Sequence, residues 1–222
     1  MTHLRPMTGT ASEGAIDLAE VEQVMSALAE RRPVFHSEAD FQHAFAWELQ
    51  RRHPEARIRL ETRPRPGVRL DVLAIVNGRR IAIELKCLLR DLTTTIDDEL
   101  FALPNQSAQD VRHYDFVKDV ARLEVLRREG YADVGFSIAL TNDPSYWQGG
   151  NREGVADAAF RLGEGRTLTG ALAWAAHTGA GTMRGRETPI ELLGAYELIW
   201  RDYSTVDAGR NSRFRYLVVV VE

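Results

Sequence analysis

Residues 68–86 read Val-Arg-Leu-Asp-Val-Leu-Ala-Ile-Val-Asn-Gly-Arg-Arg-Ile-Ala-Ile-Glu-Leu-Lys, and this stretch decides the fold. Two apolar runs, 68–76 and 79–86, flank the dipeptide Asn77-Gly78. Asn-Gly between two such runs is the strongest short-range signal for a two-residue type I′ turn. The sequence therefore predicts an antiparallel β-hairpin.

A two-residue turn also fixes which residues of the hairpin face each other. Val76 pairs with Arg79, so that Asp71 falls opposite Glu84 on the same face of the hairpin. Lys86 lies two residues beyond Glu84 and shares that face. Cross-strand neighbours are about 4.5–5.5 Å apart at Cβ, and like charges there repel. A divalent cation would turn this repulsion into binding, because hard cations prefer converging carboxylate oxygens. The opposite face of the hairpin is apolar: Leu70, Val72, Ala74, Val76, Ile81, Ile83 and Leu85.

The segments on either side of the hairpin alternate between helical and strand patterns. Ser37 is predicted to cap a helix that runs to about Arg52. The complete set of predicted segments is a helix over 16–32, a helix over 37–52, a strand over 57–62, a polar loop over 88–107, a helix over 108–128 and a strand over 134–140.

The last third of the chain is rich in glycine before it ends in strands. Residues 149–186 hold nine of the 17 glycines and are predicted to form an irregular insertion with a short helix near 168–177. Two closing strands are expected near 196–203 and 213–221, as a C-terminal β-hairpin extension. Residues 217–221 are apolar throughout, which is typical of a strand covered on both faces. We expect a disordered tail over 1–14 and one domain over 15–222.

The second predicted helix carries a further candidate carboxylate. Phe41, Ala44, Phe45, Glu48 and Arg52 follow helical spacing, so Glu48 lies on or beside the apolar stripe. Because burying a lone charge is costly, Glu48 should have a partner. A metal, or water bound to a metal, would supply one.

Asp71, then Glu84-Leu85-Lys86, with Glu48 on a preceding helix, resembles the PD-(D/E)XK nuclease superfamily, whose fold is called restriction-endonuclease-like. The order of predicted elements over about 38–140 is similar to its αβββαβ core, a mixed central sheet flanked by helices. Leu70 stands where the family name has proline.

The resemblance implies a metal-dependent phosphodiesterase that acts on nucleic acid, on DNA more than RNA, in restriction, defence or repair. Asp71, Glu84 and the Leu85 backbone carbonyl would hold Mg²⁺ or Mn²⁺. Lys86 would orient or deprotonate the attacking water or neutralise the transition state, and Glu48 would bind a second metal or a metal-bound water. The helix after the hairpin would contribute substrate contacts, for which the candidates are Gln109, His113, Tyr114 and Lys118, with Arg69 from the hairpin.

Composition bears on the substrate and on the catalytic lysine. Residues 51–80 contain nine arginines and three acids, which predicts a phosphate-facing patch or a solvated surface, although the whole chain carries a net charge of −4. Only Lys86 and Lys118 are lysines among 28 basic residues. Lysine at position 86 is notable, because a lysine side chain is compact and loses its proton when desolvated, whereas an arginine side chain does not.

Several classes of protein and site are excluded or remain open. The single cysteine, Cys87, excludes an internal disulfide or a Cys-rich zinc site. No apolar run is long enough to cross a membrane, so we expect a cytoplasmic protein.

Cutting both strands of a duplex needs two sites, which a homodimer would provide. The alternatives to an active nuclease are a nucleic-acid-binding module of the same fold without cleavage, and an unrelated α/β protein.

Overall fold

The computed structural model describes residues 16–149 and 154–222, and the predicted tail over 1–14 lies outside them. Among the described residues, no helix has the length and apolar character needed to cross a bilayer. The helices are α1 (Leu18–Arg31), α2 (Glu38–Arg52), α3 (Gln109–Arg128), α4 (Ser145–Gln148) and α5 (Ala180–Met183). The strands are β1 (Arg57–Arg65), β2 (Val68–Val76), β3 (Arg79–Leu88), β4 (Leu92–Ile96), β5 (Glu99–Leu103), β6 (Val134–Thr141), β7 (Thr167–Leu172), β8 (Ile190–Glu197), β9 (Trp200–Thr205) and β10 (Arg213–Val221).

A mixed six-stranded sheet forms the centre of the fold, with strand order β1-β2-β3-β6-β10-β9. Strands β3 and β6 are parallel, and α3 connects them in sequence. The other neighbours in this sheet are antiparallel. The protein is therefore a mixed α/β fold, as the sequence predicts.

The β2–β3 hairpin has the predicted turn and register. Asn77 and Gly78 both have positive φ, 51° and 79°, as a type I′ turn requires. Val76 pairs with Arg79, and the ladder continues to the pair Val72–Ile83.

Helices cover both faces of the sheet and bury a hydrophobic core on each. One core joins α1 and α2 to residues such as Val72 and Ile83. The other joins α3 to residues such as Leu73 and Ala82. In the closing strand, Leu217 belongs to the second core and Val218 to the first, so β10 is covered on both faces as predicted.

Three predictions outside the central hairpin are wrong in part. Residues 92–103 form the β4–β5 hairpin within the predicted loop, because the three threonines from Thr93 to Thr95 favour strand and Asp97-Asp98 adopt positive φ at the turn. The predicted helix near 168–177 is instead strand β7, which pairs with β8. The predicted strand over 196–203 is divided between β8 and β9.

The positive φ of Gly78 yields a test of the hairpin that sets the fold. Gly78→Ala should lower the free energy of unfolding by about 1–2 kcal/mol, because a residue with a Cβ is strained in the left-handed region. Gly179→Ala is the control, since Gly179 has φ −64° and open space around its Cα. Urea denaturation measures both, and equal effects of the two substitutions would contradict this view of the turn.

Candidate active site

Strands β2 and β3 separate at Asp71, and this opening creates the site. The paired ladder ends at Val72–Ile83, so the predicted direct pairing of Asp71 with Glu84 does not form. Beyond it, Asp71 Oδ2 accepts a hydrogen bond from the Leu85 backbone N–H at 2.8 Å, so that a side chain occupies the place of a backbone acceptor. Because the N–H and C=O of one strand residue point to the same edge, the Leu85 carbonyl also points into the opening.

The side-chain alternation of β2 also breaks at Asp71. Val72 packs in the core shared with α1 and α2, whereas Leu70 packs in the core shared with α3. On the neighbouring strand Glu61, which lies between the pairs Leu60–Val72 and Thr62–Leu70, has a φ of 57°. Leu70 therefore does not belong to the predicted apolar face, and the backbone of β2 is irregular where Asp71 enters the site.

Glu84 and Lys86 point towards α3, where each finds a partner of opposite charge. Arg122 Nη1 lies 2.5 Å from Glu84 Oε1 and 3.0 Å from Asp119 Oδ1. Lys86 Nζ lies 2.7 Å from Asp119 Oδ2. Asp119 and Arg122 are three residues apart on α3 and so occupy one face of the helix. Neither residue could be predicted from the sequence, because they follow no short motif and depend on how α3 packs across the sheet.

These groups lie in a cleft of about 630 Å³ between β2, β3, the start of α2 and the middle of α3. The residues that line the cleft are Ser37, Glu38, Ala39, Gln42, Glu61, Gly67, Arg69, Asp71, Glu84, Lys86, Asp115, Lys118, Asp119 and Arg122. The cleft thus brings Asp71, Glu84 and Lys86 together with two of the predicted substrate-contact residues, Arg69 and Lys118.

Glu38, at the start of α2, is the helical carboxylate of the cleft. Ser37 caps the helix by accepting from Asp40 N–H, as predicted, and Glu38 follows it directly. Glu38 Oε2 accepts from the Cys87 backbone N–H at 3.1 Å, next to Lys86 on β3. The sequence signal that points to Glu38 is the predicted cap at Ser37, because a cap there places Glu38 at the exposed start of the helix.

Gln42, one turn further along α2, ties the helix to the opened strand. Its Nε2 donates to the Asp71 backbone carbonyl at 2.8 Å and to Glu61 Oε1 at 2.9 Å. Glu61 is also paired with Arg69 at the rim of the cleft. Because Gln42 is nearly buried, these bonds fix the position of Asp71 relative to the start of α2.

Glu48 does not reach the cleft, which corrects the prediction for this residue. It is buried, but its carboxylate lies 2.6 Å from Arg31 Nη1 and 2.7 Å from Arg51 Nη2. The expected partner of the buried charge is therefore a pair of arginines. Residue 48 also lies ten positions after Glu38, close to 15 Å further along the helix at about 1.5 Å per residue.

Three of the predicted substrate contacts on α3 also lie outside the cleft. Tyr114 is buried and stacks on Trp174 with ring centroids 5.6 Å apart. Gln109 Nε2 lies 3.4 Å from an Asp143 oxygen. His113 is buried and bonds to Asp157 at 2.7 Å. These side chains face the C-terminal part of the chain, because the insertion packs on this side of α3 and buries it.

The cleft concentrates more negative than positive charge. Six carboxylates line it, against four cations; the carboxylates are those of Glu38, Glu61, Asp71, Glu84, Asp115 and Asp119, and the cations are Arg69, Lys86, Lys118 and Arg122. Burial raises the pKa of Glu84 to about 8, and the neighbouring Asp119 and Asp71 add to this rise while Arg122 opposes it. Burial likewise raises the pKa values of Glu38 and Asp119. The site is therefore an ion cluster that is two positive charges short of neutrality when every carboxyl is ionised.

Lys86 is held in its charged form. Burial alone would lower the pKa of Lys86, but the carboxylates of Asp119 and Glu38 raise it above its ordinary value. A lysine with a raised pKa neutralises negative charge well and accepts a proton poorly. Of the roles expected for Lys86, charge neutralisation thus fits this environment better than proton abstraction.

The donor chemistry of the opening fits a hard divalent cation. Within 16–149 and 154–222, no group of three or more His, Cys, Asp or Glu side chains is arranged as a preformed metal site. Asp71 and Glu84 together with the Leu85 carbonyl supply oxygen donors from two side chains and one backbone group, which is the ligand type that Mg²⁺ and Mn²⁺ prefer. The deficit of positive charge favours a cation there as well.

The raised pKa of Glu84 predicts how stability of the metal-free protein depends on pH. Between the ordinary value of 4.5 and the folded value of about 8, the folded protein binds more protons at this site than the unfolded chain. The free energy of unfolding should therefore fall as pH rises from 5 to 8.5. Glu84→Gln should make that fall smaller, because the amide does not ionise and can still accept from Arg122. Urea denaturation in EDTA at pH 5, 7 and 8.5 measures the slopes, and parallel slopes for the two proteins would refute the assignment.

Comparison of the chain with models of protein families, with curated proteins and with solved structures finds no significant match. The site is therefore interpreted from its own geometry and chemistry.

Proposed function

We propose that this chain is a divalent-metal-dependent nuclease of the PD-(D/E)XK type, which hydrolyses phosphodiester bonds of nucleic acid, of DNA more than RNA. One observation carries the proposal: Asp71, Glu84, Lys86 and the Leu85 backbone meet where two strands of a hairpin separate, at the floor of an open cleft. A structural ion cluster would not need an open cleft of this size around it.

The topology supports the same interpretation. From α2 to β6 the principal elements follow the order α-β-β-β-α-β, and β6 returns parallel to β3. This is the order that the resemblance to the restriction-endonuclease-like core requires. The β4–β5 hairpin is an addition between the third strand and the next helix.

Each side chain of the cleft has a role that follows from its position. Asp71, Glu84 and the Leu85 carbonyl would hold Mg²⁺ or Mn²⁺, and Glu38 would take the part first expected of Glu48. The bound cation would lower the pKa of a water molecule and stabilise negative charge on the phosphate. Lys86, fixed by Asp119 and kept protonated, would neutralise charge that develops in the transition state.

The rim of the cleft offers a surface for an anionic polymer. The end of β1 and the turn that follows it, which reaches the cleft at Gly67, carry Arg63 and Arg65 on either side of Pro64. Arg63 and Arg65 are exposed. Across the cleft, α3 adds Lys118. Arginine binds phosphate through a planar fork, and prolines stiffen the segment that presents it.

A nucleic-acid-binding module without cleavage is the second candidate. The ion pair of Arg122 with Glu84 favours it, because this pair already neutralises one of the carboxylates that a cation would need. Cleavage assays on plasmid and RNA with Mg²⁺ or Mn²⁺, and with EDTA as the metal-free reference, separate the two functions.

Removing the charge of one carboxylate tests the nuclease function. Asp71→Asn and Glu84→Gln should each lower Mg²⁺-dependent cleavage by about 100-fold or more, because both remove a ligand charge while keeping the side-chain shape. Lys86→Ala should have a similar effect. Glu48→Gln is the matched control and should cleave like the unaltered protein, with circular dichroism to show that all variants fold. Full activity in Asp71→Asn, or an equal loss in Glu48→Gln, would contradict the proposed site.

Two exposed arginines, Arg63 near the end of β1 and Arg79 beside the β2–β3 turn, test the binding surface. In the Asp71→Asn background with Mg²⁺ present, Arg63→Gln should weaken duplex binding and reduce the slope of log K against log salt by about 0.9 for each phosphate that Arg63 neutralises. Arg79→Gln should change neither, because Arg79 lies beside the Asn77-Gly78 turn, away from the cleft. Fluorescence anisotropy from 50 to 200 mM salt provides both quantities. Identical slopes for the two variants would assign phosphate binding to another surface.

A further inference from the structure

Arg122 holds a central place in the ion cluster although no motif identifies it. Its Nη1 lies 2.5 Å from Glu84 Oε1, 3.0 Å from Asp119 Oδ1 and 3.4 Å from the Arg69 carbonyl oxygen. One nitrogen atom thus lies within reach of two carboxylates and a backbone oxygen. An all-oxygen surrounding of this kind is also what a hard cation requires.

Lys86 and Arg122 are the cations that contact the carboxylates of Asp119 and Glu84. Lys86 pairs with Asp119, and within the described residues Arg122 is the cation that pairs with Glu84. Without Arg122, Glu84 would be a buried charge next to Asp71 and Asp119, which is costly unless a cation or a proton neutralises it. Arg122 therefore supplies the charge that a divalent cation would bring to Glu84.

The position of Arg122 on α3 also allows it to meet a ligand in the cleft. Lys118, one turn earlier on the same helix, lines the cleft as well. The Arg122 side chain is 24% exposed, so its guanidinium is accessible from the open side. A guanidinium released from Glu84 could therefore pair with a phosphate in the same cleft.

We propose that Arg122 is an internal counter-ion that competes with the divalent cation for Glu84 and binds a substrate phosphate once the cation displaces it. This inference rests on the proposed nuclease function. It names Arg122 as the residue that couples metal binding to substrate binding. In the protein without metal, Arg122 then offsets the charge of Glu84, and binding of the cation to Glu84 breaks that ion pair.

Mn²⁺ titration by calorimetry or electron paramagnetic resonance tests the competition without relying on activity. Arg122→Gln should bind Mn²⁺ about tenfold more tightly than the unaltered protein, because the competing charge is gone. Arg122→Lys, which keeps the charge but has a shorter reach and no fork, should have an intermediate affinity. Arg128→Gln is the control, since Arg128 is exposed in the last turn of α3 and should leave Mn²⁺ affinity unchanged.

Cleavage at saturating Mn²⁺ tests the second half of the proposal. Arg122→Gln should raise KM for the nucleic acid about tenfold, whereas Arg128→Gln should leave it unchanged. Equal or weaker Mn²⁺ affinity in both Arg122 variants would overturn the counter-ion role. If Asp71→Asn still abolished Mn²⁺ binding in that case, the proposed metal site would stand without Arg122. Absence of Mn²⁺ binding in the unaltered protein and in both Arg122 variants would overturn the inference and the metal-dependent function together.

Discussion

The hydrogen bond from the Leu85 backbone N–H to Asp71 Oδ2 is the interaction on which the site depends. It takes over from the β-ladder at the point where β2 and β3 separate. The separation takes the Leu85 backbone out of the β2–β3 ladder, so that its carbonyl accepts from Lys86 Nζ at 3.5 Å. Glu84 and Lys86 stay on the face towards α3. A continuous ladder would have used the Leu85 carbonyl for pairing and closed the space that is now the cleft. Gln42 and Glu38 reinforce the opening from α2 by binding the backbones of Asp71 and Cys87.

Charge balance then links the opening to function. Six carboxylates line a partly buried cleft, and four cations offset them only in part. Such an arrangement costs stability, as the raised pKa of Glu84 indicates. A fold retains costly buried charge most often where the charge has a task, although ion-pair networks also shift pKa values. Binding a divalent cation is the task that fits oxygen donors and a deficit of positive charge.

The central hairpin could be predicted from sequence because local chemistry determines it. Asn77-Gly78 sets the turn, and the turn sets the register as far as the pair Val72–Ile83. The alternation of β3 puts Glu84 and Lys86 on one face, whereas Asp71 lies beyond the end of the ladder. What could not be predicted depends on tertiary packing. Glu48 and Glu38 lie on the same helix, and only the docking of α2 on the sheet selects Glu38 for the cleft. Asp119 and Arg122 enter through the packing of α3, and β7 becomes a strand because β8 lies beside it.

A crystal structure of the protein soaked with Mn²⁺ tests the central claim most directly. We predict an anomalous scattering peak between the carboxylates of Asp71 and Glu84, beside the Leu85 carbonyl oxygen. A fully occupied Mn²⁺ bound elsewhere in the molecule, with Asp71 and Glu84 holding only protein partners, would contradict it.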